Sequence, residues 1–245
     1  MQDGNFFERV GAKNSFFLGL GSGLATFFVV GFFVVLTMYM KGNSVLADSN
    51  PTLINDPTNG QPTEIQVSLK DDDWVRGDKK AKVAIVTFSD TECPFCKRFH
   101  DTMTQVMDQY KGKVKWIYRN FPLEQLHSYA PKQAEGLECA AEIGGVDGMW
   151  RFLDKIMATT QSNDSIAPTQ LPDLAAAVGL DKGKMSTCIT SGKYTAKVQA
   201  SIQEAVAAGG TGTPYSIIIS GDTKIPVNGA VPISQMQAYL DPLVK

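Results

Sequence analysis

The sequence predicts an α/β fold with an inserted all-helical subdomain, preceded by one transmembrane helix. Three observations lead to this prediction: an uncharged apolar run near the N-terminus, a strand–helix–strand pattern that begins at residue 82, and a stretch without a convincing strand between residues 128 and 208. Strands that alternate with helices favour a parallel strand pair. The length of 245 residues suits one large domain or two small ones.

The apolar run covers residues 14–40 and contains no charged side chain. A transmembrane helix needs about 20 apolar residues, so the run is long enough to span a bilayer. We therefore assign residues 1–14 to a short cytoplasmic N-terminus and residues 15–40 to a transmembrane helix. Two basic residues precede the run and one follows it, which favours a cytoplasmic N-terminus.

A cleaved signal peptide is the alternative interpretation of this segment. Val45-Leu46-Ala47 places small residues at the spacing that a signal peptidase accepts. Signal peptides usually carry only roughly 7–15 apolar residues, however, and the run here is longer. Residues 41–69 then form a predicted linker, because Pro, Asn, Gly, Thr and Ser dominate most of it without an apolar period.

The predicted core comprises residues 70–127 and 209–245. Lys82–Ser89 is nearly continuous in apolar and β-branched residues, which predicts a strand buried on both faces. Thr91–Gln109 then shows the apolar spacing of a helix. Val114–Phe121 is typical of a second strand, so the three elements form a predicted strand–helix–strand unit.

Two further strands and a short helix complete the predicted core. Tyr215–Ser220 and Thr223–Val227 flank a Gly-Asp pair, which is a two-residue hairpin signal. Pro226 indicates that the second of these strands lies at a sheet edge, because proline cannot donate to the ladder. Ser234–Leu240 predicts a closing helix.

Residues 128–208 are predicted to form an all-helical insertion. Pro131 suits the first turn of a helix, where the missing N–H costs nothing, and helix formers follow it up to Gly144-Gly145. The further predicted helices are Met149–Met157, Leu171–Val178 and a long segment that starts at Tyr194.

The motif that carries chemistry is Cys93-Pro94-Phe95-Cys96, placed where the first predicted strand passes into the first helix. A helix N-terminus presents free N–H groups and a partial positive charge, and both favour a thiolate. The first cysteine should therefore be the more acidic and reactive of the two. Pro94 fits the first turn of that helix. A CxxC beside a βαβ pattern is the signature of a thioredoxin-like redox site.

A zinc site and a purely structural disulfide are the alternatives for this motif. A four-cysteine zinc site usually needs a second CxxC. The sequence has four cysteines, and the other two, Cys139 and Cys188, lie too far apart in sequence for that pattern. The redox interpretation therefore fits the spacing better than either alternative.

With these motifs, the sequence resembles the DsbA-type thiol–disulfide oxidoreductases of the thioredoxin superfamily over roughly residues 70–245. The resemblance rests on the CPFC motif, on Gly212-Thr213-Pro214 before the later strand, and on the helical block between them. The matching stretches are Phe88–His100, Tyr118–Ala130, Glu138–Trp150 and Gly212–Ile219.

The resemblance implies a thioredoxin fold with the helical insertion at residues 128–208. It also implies that the Thr213–Pro214 bond is cis, that Pro214 packs against the CxxC, and that the backbone of Thr213 receives an extended substrate segment. An ordinary trans proline at the start of a strand is the alternative. Pro94, Phe95, Thr213 and Pro214 are thus expected to support the catalytic pair Cys93 and Cys96.

One position departs from the family pattern. Many relatives carry a buried acid six residues before the first cysteine, which is thought to assist proton transfer at the second thiol, but this sequence has Thr87 there. Threonine does not titrate in the useful range. Asp90 and Glu92 are acids near that position, although Asp90 is expected to cap the helix and Glu92 to oppose a thiolate at the adjoining cysteine.

The remaining candidates are one cysteine pair and two histidines. Cys139 and Cys188 are expected to form a structural disulfide, because paired cysteines usually bridge outside the cytoplasm, with two buried free thiols as the alternative. His100 lies four residues after Cys96 on the same helix face and is expected to be solvated, with electrostatic tuning of the site as the alternative. His127 follows the Phe121-Pro122-Leu123 corner and is interpreted as structural.

These observations predict a single-pass membrane protein whose redox domain faces an extracytoplasmic compartment. The expected activity is dithiol oxidation, which introduces disulfides into exported proteins, with a disulfide isomerase or reductase as the first alternative and a non-catalytic anchored binding module as the second. The expected partners are thiol-containing exported proteins and the membrane, and the resemblance adds a quinone-linked membrane redox partner. No cofactor beyond the redox-active disulfide and no metal are expected, and a net charge of −2 argues against nucleic-acid binding.

Overall fold

The structure is a computed structural model that describes residues 65–244. The predicted cytoplasmic N-terminus, the predicted transmembrane helix and most of the predicted linker therefore lie outside the described residues. Within residues 65–244, no helix has the combination of length and apolar character that crossing a membrane requires.

The described residues form five strands and six α-helices, with one short 3-10 helix at Pro168–Gln170. In chain order they are β1 (Trp74–Gly77), β2 (Val83–Ser89), α1 (Pro94–Gln109), β3 (Val114–Asn120), α2 (Ala130–Thr159), α3 (Leu171–Ala177), α4 (Lys182–Ser191), α5 (Thr195–Ala207), β4 (Tyr215–Ser220), β5 (Thr223–Asn228) and α6 (Ile233–Leu240).

The strands form one sheet in the order β1-β3-β2-β4-β5. β2 and β3 are parallel, with Val83 opposite Val114 and Ser89 opposite Asn120, which confirms the predicted parallel pair. The other neighbouring strands are antiparallel. Pro226 lies in β5 at the edge of the sheet, as predicted, where its missing N–H removes no bond from the ladder.

The central strand β2 places alternate side chains in two hydrophobic cores, because successive residues of a strand point to opposite faces. Val83 and Ile85 pack on one face with residues of α1, α2 and α6. Ala84, Val86 and Phe88 pack on the other face with residues of α5 and with the segment before β1. All seven residues of β2 are buried, so the prediction of a strand covered on both sides is confirmed.

Residues 128–208 contain helices and no strand in the structure, which confirms that the insertion is all-helical. The predicted break at Gly144-Gly145 is a kink inside α2, where Gly145 adopts φ 66° and ψ −169°. A Cβ at Gly144 would lie 2.5 Å from Cδ2 of Leu180, so the leucine side chain would have to move to accommodate it. A disulfide joins Cys139 on α2 to Cys188 on α4, with their Cα atoms 5.9 Å apart.

Two elements of the structure, β1 and α4, were not predicted. β1 has only four residues and follows a run of three aspartates, so its alternation of apolar and polar residues is too short to predict a strand. α4 is polar and short, so the residues that indicate a helix lie at its ends. At the N-terminal end, Asp181 accepts a hydrogen bond from the N–H of Lys184 at 2.8 Å. At the C-terminal end, Gly192 adopts the left-handed region with φ 64° and ends the helix.

A buried guanidinium fixes the segment before β1 onto the sheet. Arg119 on β3 is 6% exposed and donates to both carboxylate oxygens of Asp73, at 3.0 and 2.8 Å. It also donates to the carbonyl oxygen of Ser68 at 2.7 Å and forms an ion pair with Glu204 on α5. Lys70 reaches the same Glu204 carboxylate at 2.6 Å. One cation therefore joins the segment, β3 and α5.

We expect Arg119→Met to lower the free energy of unfolding by about 3–5 kcal/mol, because it leaves Asp73 and Glu204 without their buried partner. Chemical denaturation monitored by circular dichroism measures this loss. Lys182→Met is the matched control, since the Lys182–Asp173 pair is exposed and should cost less than about 1 kcal/mol. Equal losses in the two variants would contradict the assignment of Arg119 as a central contact.

We expect Cys139→Ser/Cys188→Ser to lower the free energy of unfolding by about 4 kcal/mol, because the bridge closes a loop across 49 positions of sequence. Guanidinium titration of the oxidised full-length chain measures the difference. A loss below about 1 kcal/mol would show that the denatured chain is not restricted by this bridge.

Candidate active site

Cys93 stands at the point where the turn after β2 becomes the helix α1. It is the N-cap residue, with φ −78° and ψ 124°, and its carbonyl oxygen accepts the first helical bond from the N–H of Lys97 at 3.1 Å. Pro94 is the first residue of α1, as the motif predicts. The free N–H groups of the first turn therefore face the sulfur of Cys93.

The thiol of Cys93 is acidic in this setting. Both cysteines of the motif are buried and unbonded, at 4% exposure for Cys93 and 1% for Cys96. The hydrogen bond from Cys96 is the largest cause that lowers the pKa of Cys93 from the ordinary 9.0 to about 6, against an opposing effect of burial. Hydrogen bonds from the backbone N–H groups of Cys96 and Phe95 lower it further.

The thiol of Cys96 has the opposite character. Burial, followed by the hydrogen bond and negative charge of Cys93, raises the pKa of Cys96 well above its ordinary value. The N–H of Asp90 lies 3.4 Å from its sulfur. The pair therefore divides into an acidic thiol at the helix start and a protonated thiol beneath it, which is the division that thiol–disulfide exchange uses.

Thr213 and Pro214 complete the wall of the site immediately before β4. The Thr213–Pro214 peptide bond is cis. The sulfur of Cys93 lies 3.5 Å from the carbonyl oxygen of Thr213, so the backbone at this position faces the reactive thiol. Phe95 is 54% exposed beside the motif, with the guanidinium of Arg98 5.2 Å from the centre of its ring.

Thr87 occupies the place of the buried acid that the family pattern leads one to expect. Its hydroxyl lies 2.9 Å from that of Ser216 and accepts a hydrogen bond from the indole N–H of Trp116 at 3.1 Å. The position is therefore satisfied by neutral groups and holds no titratable side chain. A proton for Cys96 has to come from another group.

The two nearby acids do not take the roles predicted for them. Asp90 does not cap α1, because Cys93 is the N-cap residue and the carboxylate of Asp90 turns instead to His127 and to the N–H of Leu123, both at 2.8 Å. Its other oxygen accepts from the N–H of Glu92 at 2.8 Å.

The side chain of Glu92 is fully buried and points into the helical insertion. It accepts hydrogen bonds from Gln133 and from the N–H groups of Ser165 and Ile166, the latter two at 3.1 and 3.3 Å. The hydroxyl of Thr160 adds a bond at 3.4 Å. Glu92 thus anchors the insertion to the active-site turn, and its carboxylate is not among the causes that shift the pKa of the Cys93 thiol.

The prediction that His100 is solvated is wrong. His100 is 7% exposed, and its Nε2 lies 2.9 Å from a carboxylate oxygen of Asp154 on α2. Arg76 pairs with the same carboxylate at 2.6 Å and stacks over Trp150 at 4.1 Å. The burial arises because the face of α1 that carries His100 packs against α2, a tertiary contact that the helix sequence alone does not reveal.

Asp90 and His127 were predicted to act separately, and the hydrogen bond that joins them at the site was not predicted. His127 is 5% exposed and was interpreted only as structural. The sequence feature that could have indicated this contact is the corner at Phe121-Pro122-Leu123, because the N–H of Leu123 donates a hydrogen bond to the carboxylate of Asp90.

Within residues 65–244, no group of three or more His, Cys, Asp or Glu side chains is arranged to hold a metal ion.

A five-stranded sheet with a dithiol at a helix start, opposite a cis-proline turn, defines the class of thioredoxin-fold thiol–disulfide oxidoreductases. A family model described as thioredoxin matches residues 69–242. The chain therefore belongs to this thioredoxin family.

Solved structures of similar proteins cover most of the described residues. DsbA2 of Pseudomonas aeruginosa is 26% identical and aligns with a TM-score of 0.62, covering 72% of this chain and 97% of that one. A thioredoxin-like oxidoreductase from Silicibacter pomeroyi is 25% identical, with a TM-score of 0.59 and coverage of 71% and 92%. BdbD of Bacillus subtilis is 20% identical and shares the fold, with a TM-score of 0.61 and coverage of 70% and 92%.

Curated relatives match by sequence over a smaller share of their own length. The protein named Na(+)/H(+) antiporter NhaA 3 of Salinispora tropica is 28% identical over 144 residues, which are 59% of this chain and 21% of that protein. A protein named Na(+)/H(+) antiporter NhaA 1 of Salinispora arenicola is 25% identical with the same coverage. The chain thus spans about a fifth of the length of these relatives.

We expect Cys96→Ala to raise the pKa of Cys93 from about 6 towards 9, because the hydrogen bond from Cys96 is the largest cause of its low value. The rate of alkylation of Cys93 by iodoacetamide, followed by mass spectrometry from acid to alkaline pH, reports the thiolate fraction. Cys96→Ser is the matched control, since its hydroxyl can still donate to Cys93. An alkylation midpoint near that of the wild type in Cys96→Ala would refute this account of the acidity.

Proposed function

We propose that the protein is a dithiol oxidase that introduces disulfides into exported proteins through the Cys93–Cys96 pair. One observation carries the proposal. An acidic, buried Cys93 stands at the start of α1, hydrogen-bonded by a protonated Cys96 and facing the backbone of Thr213. A dithiol with one stabilised thiolate favours its reduced form, and a pair that favours its reduced form oxidises other thiols.

The reaction runs in two exchange steps. A substrate thiolate attacks the sulfur of Cys93 in the oxidised pair, which forms a mixed disulfide and releases Cys96 as a thiolate. Because the pKa of Cys96 is raised, this thiolate takes up a proton at neutral pH. A second substrate thiolate then attacks the substrate sulfur of the mixed disulfide, and Cys93 leaves as a stable thiolate. The substrate loses two electrons, and the Cys93–Cys96 pair gains them.

Substrate binding is proposed to use the backbone next to the dithiol. The carbonyl oxygen of Thr213 lies 3.5 Å from the attacked sulfur, so an extended substrate segment pairing there would place its thiol at Cys93. Phe95 supplies an exposed apolar surface within the motif itself. Backbone pairing with one apolar contact suits unfolded substrates of varied sequence.

The proposed location is extracytoplasmic, with the chain anchored by its N-terminal apolar run. The Cys139–Cys188 bridge supports this location, because structural disulfides persist in oxidising compartments. The uncharged residues 14–40 support the anchor by their length. A membrane partner linked to quinones is proposed as the group that reoxidises the pair, on the family resemblance alone.

The direction of exchange distinguishes the oxidase from its alternatives. Oxidised full-length protein, mixed with an equimolar reduced peptide that contains two cysteines, should convert the peptide to its disulfide within one turnover, as measured by acid quench and mass spectrometry. Cys96→Ala joined through Cys93 to a peptide with a single cysteine should hold the mixed disulfide, because neither Cys96 nor a second substrate thiol can attack it, and Cys93→Ala should be inert. Preferential reduction of the peptide disulfide by the reduced protein would instead indicate a reductase or isomerase. Failure of both directions would indicate a binding module.

A further inference from the structure

A buried aspartate–histidine pair lies directly against the dithiol. Asp90 is 1% exposed and His127 is 5% exposed. Oδ2 of Asp90 lies 2.8 Å from Nδ1 of His127 and accepts a second hydrogen bond from the N–H of Leu123 at 2.8 Å. The pair therefore holds the corner at residues 121–127 against the active-site turn.

The backbone of Asp90 contacts both cysteines. Its N–H lies 3.4 Å from the sulfur of Cys96, and its carbonyl oxygen accepts a hydrogen bond from the N–H of Cys93 at 3.3 Å. The position of Asp90 therefore sets the position of both sulfur atoms relative to the helix start. His127, by holding the side chain of Asp90, acts on the same geometry from outside the motif.

The negative groups of this cluster favour a cation at His127. A buried carboxylate at Asp90 would oppose a thiolate at Cys93, because like charges in a poorly solvated site repel. Burial alone lowers the pKa of His127, but the hydrogen bond and charge of Asp90 raise it, followed by the charges of Cys93 and Asp164, and the net direction is upward. The charged groups that face His127 are thus Asp90 from the active-site turn, Cys93 from the start of α1 and Asp164 from the loop after α2.

We propose that His127 is a positioning residue of the dithiol, whose imidazolium, held on Asp90, compensates the buried carboxylate and so stabilises the Cys93 thiolate. The inference rests on the proposed function, because it concerns the same cysteine pair, and it names a group outside the motif that controls its electrostatics.

The coupling is reciprocal. If the imidazolium stabilises the thiolate, the thiolate stabilises the imidazolium by the same free energy. Oxidation of the pair to the disulfide removes the thiolate charge, and His127 then holds its proton less strongly. The proton affinity of His127 therefore depends on the redox state of Cys93 and Cys96.

His100 provides a matched control within the chain. It is also a buried histidine bound to a carboxylate, with Nε2 2.9 Å from Asp154, and it lies on α1 one turn after Cys96. Its carboxylate, however, is already paired with Arg76. The charge of that cluster is therefore balanced without the histidine, and the charge of the Cys93 thiolate should not depend on His100.

Nuclear magnetic resonance titration of the two histidines in the full-length chain tests the proposal directly, since the sequence contains only these two. Histidine-labelled protein is titrated with the Cys93–Cys96 pair oxidised and then reduced, and mass spectrometry verifies that Cys139–Cys188 stays bonded. The pKa of His127 should be higher in the reduced protein than in the oxidised protein by about half a pH unit. Equal values for His127 in the two states would overturn the proposal.

Variants test the same coupling from the cysteine side. His127→Asn keeps a side-chain N–H donor for Asp90 but cannot carry charge, so the pKa of Cys93 should rise by about half a pH unit, the same shift that reciprocal coupling predicts for His127. His100→Asn should leave it unchanged, and Asp90→Asn/His127→Asn, which removes both charges, should return it towards the wild-type value. A wild-type pKa in His127→Asn would show that His127 only supplies a hydrogen bond, and would overturn the proposal.

Two outcomes separate this inference from the proposed function. An acidic wild-type Cys93, together with a His127 that is indifferent to redox state, overturns the inference alone. A wild-type Cys93 with an ordinary pKa near 9 overturns both. Should His127→Asn fail to fold, the double variant leaves no buried charge without a partner, and the titration of the wild-type histidines requires no substitution.

Discussion

The hydrogen bond from Cys96 to Cys93 is the interaction on which the rest of the site depends. It sets which thiol is acidic, because it lowers the pKa of Cys93 while the burial that accompanies it raises that of Cys96. The surrounding elements hold the two sulfur atoms in this relation. The start of α1 fixes Cys93, the N–H of Asp90 contacts Cys96, and the turn before β4 brings Thr213 to the reactive side. The sheet positions these three segments at the ends of β2 and β4.

The magnitude of this effect shows how much it can contribute to an oxidase. A thiol whose pKa falls from 9.0 to about 6 stabilises the reduced protein by about 1.4 kcal/mol at pH 7, which is about 30 mV for a two-electron couple. The span between a reductase at about −270 mV and a strong oxidant at about −120 mV is about 150 mV. The acidity of Cys93 therefore shifts the reduction potential towards that of an oxidant, but it supplies only about a fifth of the 150 mV difference. Other contacts that stabilise the dithiol relative to the disulfide have to supply the remaining difference in potential.

Local signals predicted the elements that place the motif, and tertiary contacts account for what was missed. The continuous apolar run at β2, the helical spacing of α1 and the Gly-Asp hairpin were readable because each is encoded within about ten adjacent residues. β1 was not predicted because its four residues are held mainly by pairing with β3. The burial of His100 and the bond between Asp90 and His127 join segments that are tens of positions apart in sequence. Spacing within one helix or strand carries no information about such pairs.

The reduction potential of the full-length protein as a function of pH tests the central claim most directly. The low pKa of Cys93 stabilises the reduced form fully above about pH 9, and this stabilisation disappears as the pH falls through about 6. Equilibration with glutathione buffers from pH 5 to 8.5 should therefore give a slope of about 59 mV per pH unit below pH 6 and about 30 mV above it, because reduction takes up two protons in the first range and one in the second. A slope of about 59 mV over the whole range would contradict a stabilised Cys93 thiolate.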